Sequence, residues 1–396
     1  MPKERIGVMG GSFNPIHERH VEMARAAQKE FALDRLIFLP TGNPPHKRQG
    51  LADAEDRYEM TRLAVSGLPG CSASRMELDR QGVIYTVDTL SAMQKQWPGA
   101  ELYYIIGEDT LLDLPNWRKP DKVFTLCRFL VCCRTSEELE KLPLTKKLTS
   151  RGAKLHFLSL PPREISATEV RRKLAAGEPT EELFPQVQEY IRVMGLYGCR
   201  PLRADGRAVY ERLKQSLSDK RLMHSLLVAD TARKLALLHG VDPDTAELAG
   251  LLHDAAKCLP LGEMQRIVRE KRLLLDRETL QSGNLLHGPA GAVLAQDTFG
   301  VTDPNILSAI RYHTTGKVGM LPLDLIVYLA DKIEPSRRPY PALEEARRLS
   351  QTDLAAAVRH LMESSMAYVR AQGAEPHPVT LKAAEWLKRL EKNTDH

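Results

Sequence analysis

Short apolar runs and amphipathic stretches alternate through the first half of the chain. Residues 5–9, 35–40, 101–106 and 129–133 are compact apolar runs that read as strands. Between them, residues 54–65 and 86–96 place apolar side chains at helical spacing, and residues 167–176 and 181–193 close the half in the same way. This alternation predicts an open, parallel α/β sheet with ligands at the carboxyl ends of its strands.

The pattern changes at Gly195-Leu196-Tyr197-Gly198-Cys199-Arg200-Pro201, which reads as a turn-rich junction. Beyond it strands are scarce. Residues 208–216, 223–239, 244–256, 262–270, 289–299, 305–312, 323–333 and 353–372 all fit helical periodicity, so the second half is expected to be all-α. A chain of 396 residues has room for two domains, each with its own core. The expected division is 1–199 and 208–396, with a linker at 200–207.

Composition narrows the picture. There are 56 basic and 51 acidic residues, giving a formal net charge of +5, and the two signs are interspersed. Without a basic tail or an aromatic-interleaved basic block, the charge does not argue for nucleic acid. It is read as a modest pull on anionic nucleotides. The six cysteines form no C-x-x-C pair, which suggests reduced, mostly buried thiols in a cytosolic setting. The N-terminus lacks the features of a signal peptide and no apolar run is long enough to span a bilayer. A cytoplasmic protein without membrane contact is therefore expected.

The first chemical signature is Gly10-Gly11-Ser12-Phe13-Asn14-Pro15-Ile16-His17-Glu18-Arg19-His20, placed between the first strand and a helix. Glycines there let backbone N–H groups approach an anion, and a helix N-terminus adds partial positive charge. His17 and His20 are one turn apart and would share a helix face. Two imidazoles so placed can bind the phosphates of a nucleoside triphosphate and stabilise charge in an in-line transfer.

This string resembles the adenylyltransferases of the nucleotidyltransferase superfamily, whose hallmark is H-x-G-H. The likeness extends to the bacterial nicotinate-nucleotide adenylyltransferases. Leu39-Pro40-Thr41-Gly42-Asn43-Pro44-Pro45-His46-Lys47, Tyr85-Thr86-Val87-Asp88-Thr89-Leu90, Ile105-Ile106-Gly107-Glu108-Asp109 with Leu114-Pro115-Asn116-Trp117, and Ile165-Ser166-Ala167-Thr168-Glu169-Val170-Arg171 follow in that family's order over about residues 1–197. The resemblance implies a Rossmann-like domain that transfers adenylyl from ATP, with its Mg2+, to nicotinate mononucleotide. It implies catalytic roles for His17 and His20, and ATP contacts from Gly10, Gly11, Ser12, Phe13, Asp109, Ser166, Thr168 and Arg171. Lys47, Thr86 and Trp117 would hold nicotinate mononucleotide, with Trp117 stacked on the pyridine ring. One departure stands out: the motif's glycine is Arg19 here, and a long side chain there must point elsewhere or narrow the site.

The second signature is His253-Asp254, following the apolar stretch 248–252. An imidazole beside a carboxylate is costly to bury without a partner, and a divalent metal supplies one. With His224 on an earlier helix and Asp331 on a later one, the order H…HD…D resembles the HD-domain metal-dependent phosphohydrolases. His287 and His313 each open or close a helical segment. Six N/O ligands (His224, His253, Asp254, His287, His313 and Asp331) suit two metals with Asp254 bridging. Such donors allow iron, manganese, zinc or cobalt, and iron is the expectation. His239, His360, His377 and His396 lack such context and are read as surface residues.

Over about residues 208–385 the order, with Tyr312-His313-Thr314-Thr315-Gly316 and Ile333-Glu334-Pro335, resembles the YqeK-type HD hydrolases, which act as symmetrical diadenosine tetraphosphatases. The resemblance implies cleavage of a dinucleoside polyphosphate, with Asp254 and Lys257 in catalytic roles and Lys257 holding phosphate. The expectation is thus a bifunctional enzyme, an α/β domain followed by an all-α HD domain, whose partners are ATP, nicotinate mononucleotide and a dinucleoside polyphosphate. Two rival readings are an HD half that only senses nucleotides or acts on another one, and a first half disabled by Arg19 and kept as a scaffold.

Overall fold

The structure is a computed structural model that describes residues 3–42, 50–161, 163 and 165–394. The chain divides into two compact units: Met1–Ile191 with Leu196–Cys199, and Arg192–Gly195 with Arg200–His396.

The first unit is built on six parallel strands: β1 (Arg5–Gly11), β2 (Arg35–Pro40), β3 (Cys71–Ala73), β4 (Glu101–Gly107), β5 (Arg128–Cys133) and β6 (Leu155–Ser159). Their order is β3-β2-β1-β4-β5-β6. Central strands of a sheet covered on both faces are apolar throughout, and Ile6, Val8, Phe38, Phe129 and Val131 are fully buried. In β1, Ile6 pairs with Arg35 of β2 and with Leu102 of β4. The connections after β1 and β4 diverge to opposite sides, which leaves a crevice at the carboxyl ends of these two strands.

Two strands escape a reading by apolar runs. β3 is three residues long and carries small side chains, and β6 is an edge strand with only Leu158 buried. The helix expected from 181 begins later and spans Pro185–Met194. Proline is favoured at a first helical position because its missing N–H has no intrahelical role there.

The second unit is helical, with no strand among its described residues. The helices Asp219–Leu238 and Pro243–Leu252 pack closely. A Cβ on Gly250 would stand 3.0 Å from the Ala229 Cα, so glycine permits the approach. The helix expected over 244–256 stops at Leu252. After it the backbone closes short turns, with the Ala255 N–H on the Leu252 carbonyl at 3.0 Å and the Lys257 N–H on the Asp254 carbonyl at 2.8 Å. The helix expected from 289 begins at Gly283 instead, and runs to Asp297 with Pro289 inside it. The turn ahead of the proline is already helical, held by the Leu286 N–H on the Ser282 carbonyl at 2.8 Å, and Pro289 forfeits one backbone bond. Helices Arg277–Gln281, Leu343–Leu349 and Pro378–Thr394 were not anticipated. Among the described residues, no helix is long and apolar enough to cross a membrane.

Candidate active sites

In the first unit the loop after β1 is shaped by close contacts. A Cβ on Gly10 would fall 2.1 Å from the Tyr104 hydroxyl, so any side chain there would force the Tyr104 ring to move. Phe13 takes a φ of 42°, uncommon for a residue with a side chain. Its buried ring meets the His20 ring edge-on, with centroids 5.1 Å apart. His17 is the N-cap of the helix Glu18–Phe31, not a member of it. The His17 backbone N–H donates to His20 Nδ1 at 3.3 Å, and the two rings stack with centroids 3.8 Å apart. Burial lowers the His17 imidazole to about 4, and burial with His17 alongside lowers His20 too. His17 Nδ1 is buried without a hydrogen-bond partner.

The Ser166–Arg171 motif reaches this same loop. Ser166 is the N-cap of the helix Ala167–Ala176, and Thr168 Oγ1 accepts from Arg171 Nη2 at 3.2 Å. Arg171 Nη1 donates to the Asn14 carbonyl at 2.8 Å, tying together motifs 157 residues apart. Asp109 follows Gly107 at the end of β4, in the first turn of the helix Glu108–Asp113, and is exposed. Thr86 opens the helix Thr86–Gln96. Trp117 is half-buried and packs edge-on against Tyr104, with centroids 5.8 Å apart. Arg19 lies along its own helix, with Nη1 3.5 Å from Glu22 Oε2. Lys47 lies outside the described residues.

Arg57 is the residue that sequence reasoning missed here. It sits on the helix Ala54–Val65 and is only 1 % exposed. Its Nη1 donates to the Ser12 carbonyl at 2.9 Å, its Nη2 to the Gly42 carbonyl at 3.0 Å and its Nε to the Ala52 carbonyl at 3.0 Å. One guanidinium thus fastens three loop segments through their backbone. An arginine in an amphipathic helix gives no sign in sequence that it is buried.

In the second unit all six expected ligands converge. His224 lies on the helix Asp219–Leu238, His287 on Gly283–Asp297 and Asp331 on Pro322–Ile333. His253 and His313 are the C-caps of Pro243–Leu252 and Pro304–Tyr312. His287 Nε2 is 3.0 Å from His313 Nε2 and 3.1 Å from Asp254 Oδ1. His224 Nε2 is 3.0 Å from Asp331 Oδ1, and His253 Nε2 is 3.6 Å from Asp254 Oδ2. Two groups of possible ligand atoms, His224–His253–Asp254 and Asp254–His287–His313, share Asp254.

The ring nitrogens facing away from this centre are tied off. Nδ1 of His253 meets the Gly250 carbonyl at 2.6 Å, Nδ1 of His313 the Ile310 carbonyl at 2.7 Å and Nδ1 of His287 the Gly283 carbonyl at 3.2 Å. Nδ1 of His224 meets Glu334 Oε1 at 3.1 Å. The carbonyl contacts of His253, His313 and His287 favour a proton on Nδ1 and a lone pair on Nε2, whereas burial opposes protonation of His224 but the carboxylates of Asp331 and Glu334 raise it above its ordinary value. His253 Nε2 is buried and makes no hydrogen bond among the described residues, although Asp254 and Asp331 carboxylate oxygens stand 3.6 and 3.7 Å away. Burial pushes the His313 imidazole well below its ordinary value, and the imidazoles of His287 and His253 push the same way. Burial opposes ionisation of Asp254, yet the histidines around it hold its carboxyl well below the usual range. Burial also opposes ionisation of Asp331, which Lys332 and His224 hold low. Inward lone pairs, ionised carboxylates and an orphaned buried nitrogen are the donor set of divalent metal ions.

Cations border this centre. Arg221 Nη1 donates to Asp254 Oδ2 at 3.0 Å, Lys332 Nζ to Asp331 Oδ2 at 3.3 Å, and Arg337 Nε to the Asp331 carbonyl at 2.6 Å. Lys257 Nζ lies 3.4 Å from His287 Nδ1. Of these, only Lys257 was singled out from sequence, as were none of the Glu334 contacts. His377, expected at the surface, is buried, with Nε2 3.3 Å from Thr279 Oγ1. It directly precedes the helix that begins at Pro378, and the Val379 N–H donates to its Nδ1 at 3.4 Å. His239 is half-buried and its Nε2 meets the Ser350 carbonyl at 2.7 Å, whereas His396 lies outside the described residues.

Comparison with known proteins finds one family in each half of the chain. Residues 8–173 match the family model for cytidylyltransferase-like proteins and residues 221–336 that for the HD domain. A "Probable nicotinate-nucleotide adenylyltransferase/Ap4A hydrolase" of Mycoplasma genitalium is 32% identical over 85% of this chain and 89% of its own length. A "Probable nicotinate-nucleotide adenylyltransferase" of Moorella thermoacetica is 41% identical over 52% of this chain and 96% of its own. A solved structure of a "predicted HD superfamily hydrolase involved in NAD metabolism" from Clostridium acetobutylicum is 36% identical, covering 46% of this chain and 96% of that one with a TM-score of 0.45.

Proposed function

The chain belongs to the family of nicotinate-nucleotide adenylyltransferase/Ap4A hydrolases, and from that membership we propose that it is a bifunctional enzyme with one reaction in each unit. The first unit transfers adenylyl from ATP to nicotinate mononucleotide, giving nicotinate adenine dinucleotide and pyrophosphate. The second hydrolyses diadenosine tetraphosphate symmetrically to two ADP.

For the transferase, the supporting observation is the Arg171 bond to Asn14, which joins the two anion-binding motifs at the carboxyl end of β1. His17 and His20 are neutral before substrate arrives and offer hydrogen bonds to the triphosphate as negative charge develops during transfer. Ser166, Thr168 and Arg171 hold the rest of the triphosphate at a helix N-terminus. Gly10, Gly11, Ser12 and Phe13 supply the loop backbone, Asp109 faces the nucleotide sugar or the Mg2+ that comes with ATP, and Thr86, Trp117 and Lys47 receive nicotinate mononucleotide.

For the hydrolase, it is the sharing of Asp254 between two ligand groups. Two divalent ions held by His224, His253, Asp254, His287, His313 and Asp331 would supply an activated water and neutralise phosphate charge. The protein's own part is to fix the imidazoles through their Nδ1 contacts and to steady the polyphosphate with Lys257 and Arg221. Iron is the metal proposed. The expected domain boundaries, 1–199 and 208–396, are carried over with this reading.

The test uses the full-length chain. Supplied with nicotinate mononucleotide and magnesium ATP, it should release pyrophosphate. Loaded with iron and given diadenosine tetraphosphate, it should yield ADP as the sole product. AMP plus ATP would mean asymmetric chemistry and remove the second half of the reading.

A further inference from the structure

A cavity of about 580 Å³ opens beside the six converging side chains of the second unit. Asp331, one of the six, lines it together with Lys332, Arg337, Tyr340, Leu361 and Tyr368. The volume lies within the range of small-molecule sites. Its lining changes in character from one part to the other. Next to Asp331 it presents an ammonium and a guanidinium. Farther along the chain it presents two phenol rings and an aliphatic side chain.

The two tyrosines differ in how they are held. The Tyr340 hydroxyl donates to the Lys332 carbonyl at 3.2 Å, which fixes that ring. Tyr368 stands on the helix Leu354–Ala371 and is 68% exposed, a large ring left open to solvent at the cavity. Arg337 is engaged through Nε and Nη2 with Asp331, while its Nη1 has no hydrogen bond among the described residues. Both Nη1 protons are therefore available to an anion.

A ligand that suits this lining carries dense negative charge at one end and a flat aromatic heterocycle at the other. We propose that the cavity seats one nucleoside diphosphate half of the substrate, with the base against Tyr340 and Tyr368 and its phosphates toward Arg337. The proposal rests on the hydrolase reading above and adds to it a recognition site for a single nucleoside. Stacking on an aromatic side chain tolerates any base, so the pocket selects for a base without choosing strongly among bases.

The test is binding of adenosine diphosphate to the full-length, metal-loaded chain by calorimetry, with inorganic pyrophosphate as the probe that lacks a base. Tyr368→Ala should weaken adenosine diphosphate roughly fivefold or more, the loss expected when one stacking partner goes. It should leave pyrophosphate unchanged. Ser365 is exposed on the same helix and lines the cavity, so Ser365→Trp should fill it without disturbing the core and should weaken adenosine diphosphate as well. Unchanged adenosine diphosphate affinity in both variants overturns the proposal. Product analysis separates it from the reaction itself. Two ADP formed, with binding insensitive to the variants, keeps the reaction and removes the pocket. Variant-sensitive binding without formation of two ADP keeps the pocket and removes the reaction.

Discussion

The imidazole rings of His17 and His20 lie face to face, and the backbone N–H of the first donates to Nδ1 of the second. Neither ring is positioned independently of the other. His17→Ala and His20→Ala are each expected to lower adenylyl transfer by about 10²–10³, the usual cost of losing one transition-state hydrogen-bond donor. Hydrolysis by the second unit should not change. Pyrophosphate release and ADP formation, measured on the same preparations, check both statements. Transfer at the wild-type rate in both variants would sink the assignment.

The depressed His17 value makes a pH prediction. Its folded value is about 4 against an ordinary value of 6.5. Between these limits the unfolded chain binds the proton more readily. The stability that the neutral ring contributes is present above pH 6.5 and is lost as the pH falls toward 4. From pH 7 to pH 5 this one group should cost about 2 kcal/mol. Urea unfolding of the wild type and of His17→Gln at the two pH values measures it. An equal pH dependence in both chains would count against the buried, neutral ring.

Arg57 makes a third case. Arg57→Ala leaves three loop carbonyls without their buried donor, each worth roughly 1–3 kcal/mol. The thermal midpoint of the first unit should fall, and transfer should suffer although Arg57 is not expected to touch substrate. Arg57→Lys keeps the charge but not the planar fork, so it should recover part of the stability and little of the alignment. If Arg57→Lys restores full turnover, charge is what matters there and the backbone clamp is incidental.

Metal content tests the second unit. His253→Ala and Asp254→Ala each remove a proposed ligand and should lose bound metal along with hydrolysis. Asp254 is shared between both groups, so its loss should empty the pair, whereas His253→Ala should spare the group of Asp254, His287 and His313. Glu334→Gln leaves all six in place and weakens the hold on His224 Nδ1 together with the Glu334 contacts to Ser336. Its metal affinity should drop about 10–100-fold. Elemental analysis per chain after dialysis against a graded chelator distinguishes the three variants.

Much of this was legible in the sequence, and the residues show why. His253 and Asp254 stood out because an imidazole and a carboxylate after a leucine-rich stretch are expensive to bury without a purpose, and His224, Asp331, His287 and His313 followed from their order around that pair. Arg337 and Arg57 did not, because a charged side chain looks the same in sequence whether water or the protein surrounds it, and Glu334 was visible only as part of a motif, with no sign of its contact to His224. The parallel sheet was legible in its central strands, where burial on both faces writes an unbroken apolar run. It was not legible in β3 and β6, which are short or half-exposed. Helix ends were lost at His253 and before Pro289, where individual backbone hydrogen bonds decided what periodicity could not.

The two C-cap histidines carry one more consequence. Helices Pro243–Leu252 and Pro304–Tyr312 both end at the cluster, at His253 and His313. The aligned peptide dipoles of a helix place about half a negative elementary charge at its carboxyl end. Two such ends amount to roughly one negative charge that belongs to no side chain and that no protonation can remove. The backbone itself therefore biases this centre toward cations across the whole pH range, and a substitution that neutralises one carboxylate there makes the local potential less negative but leaves this backbone share in place.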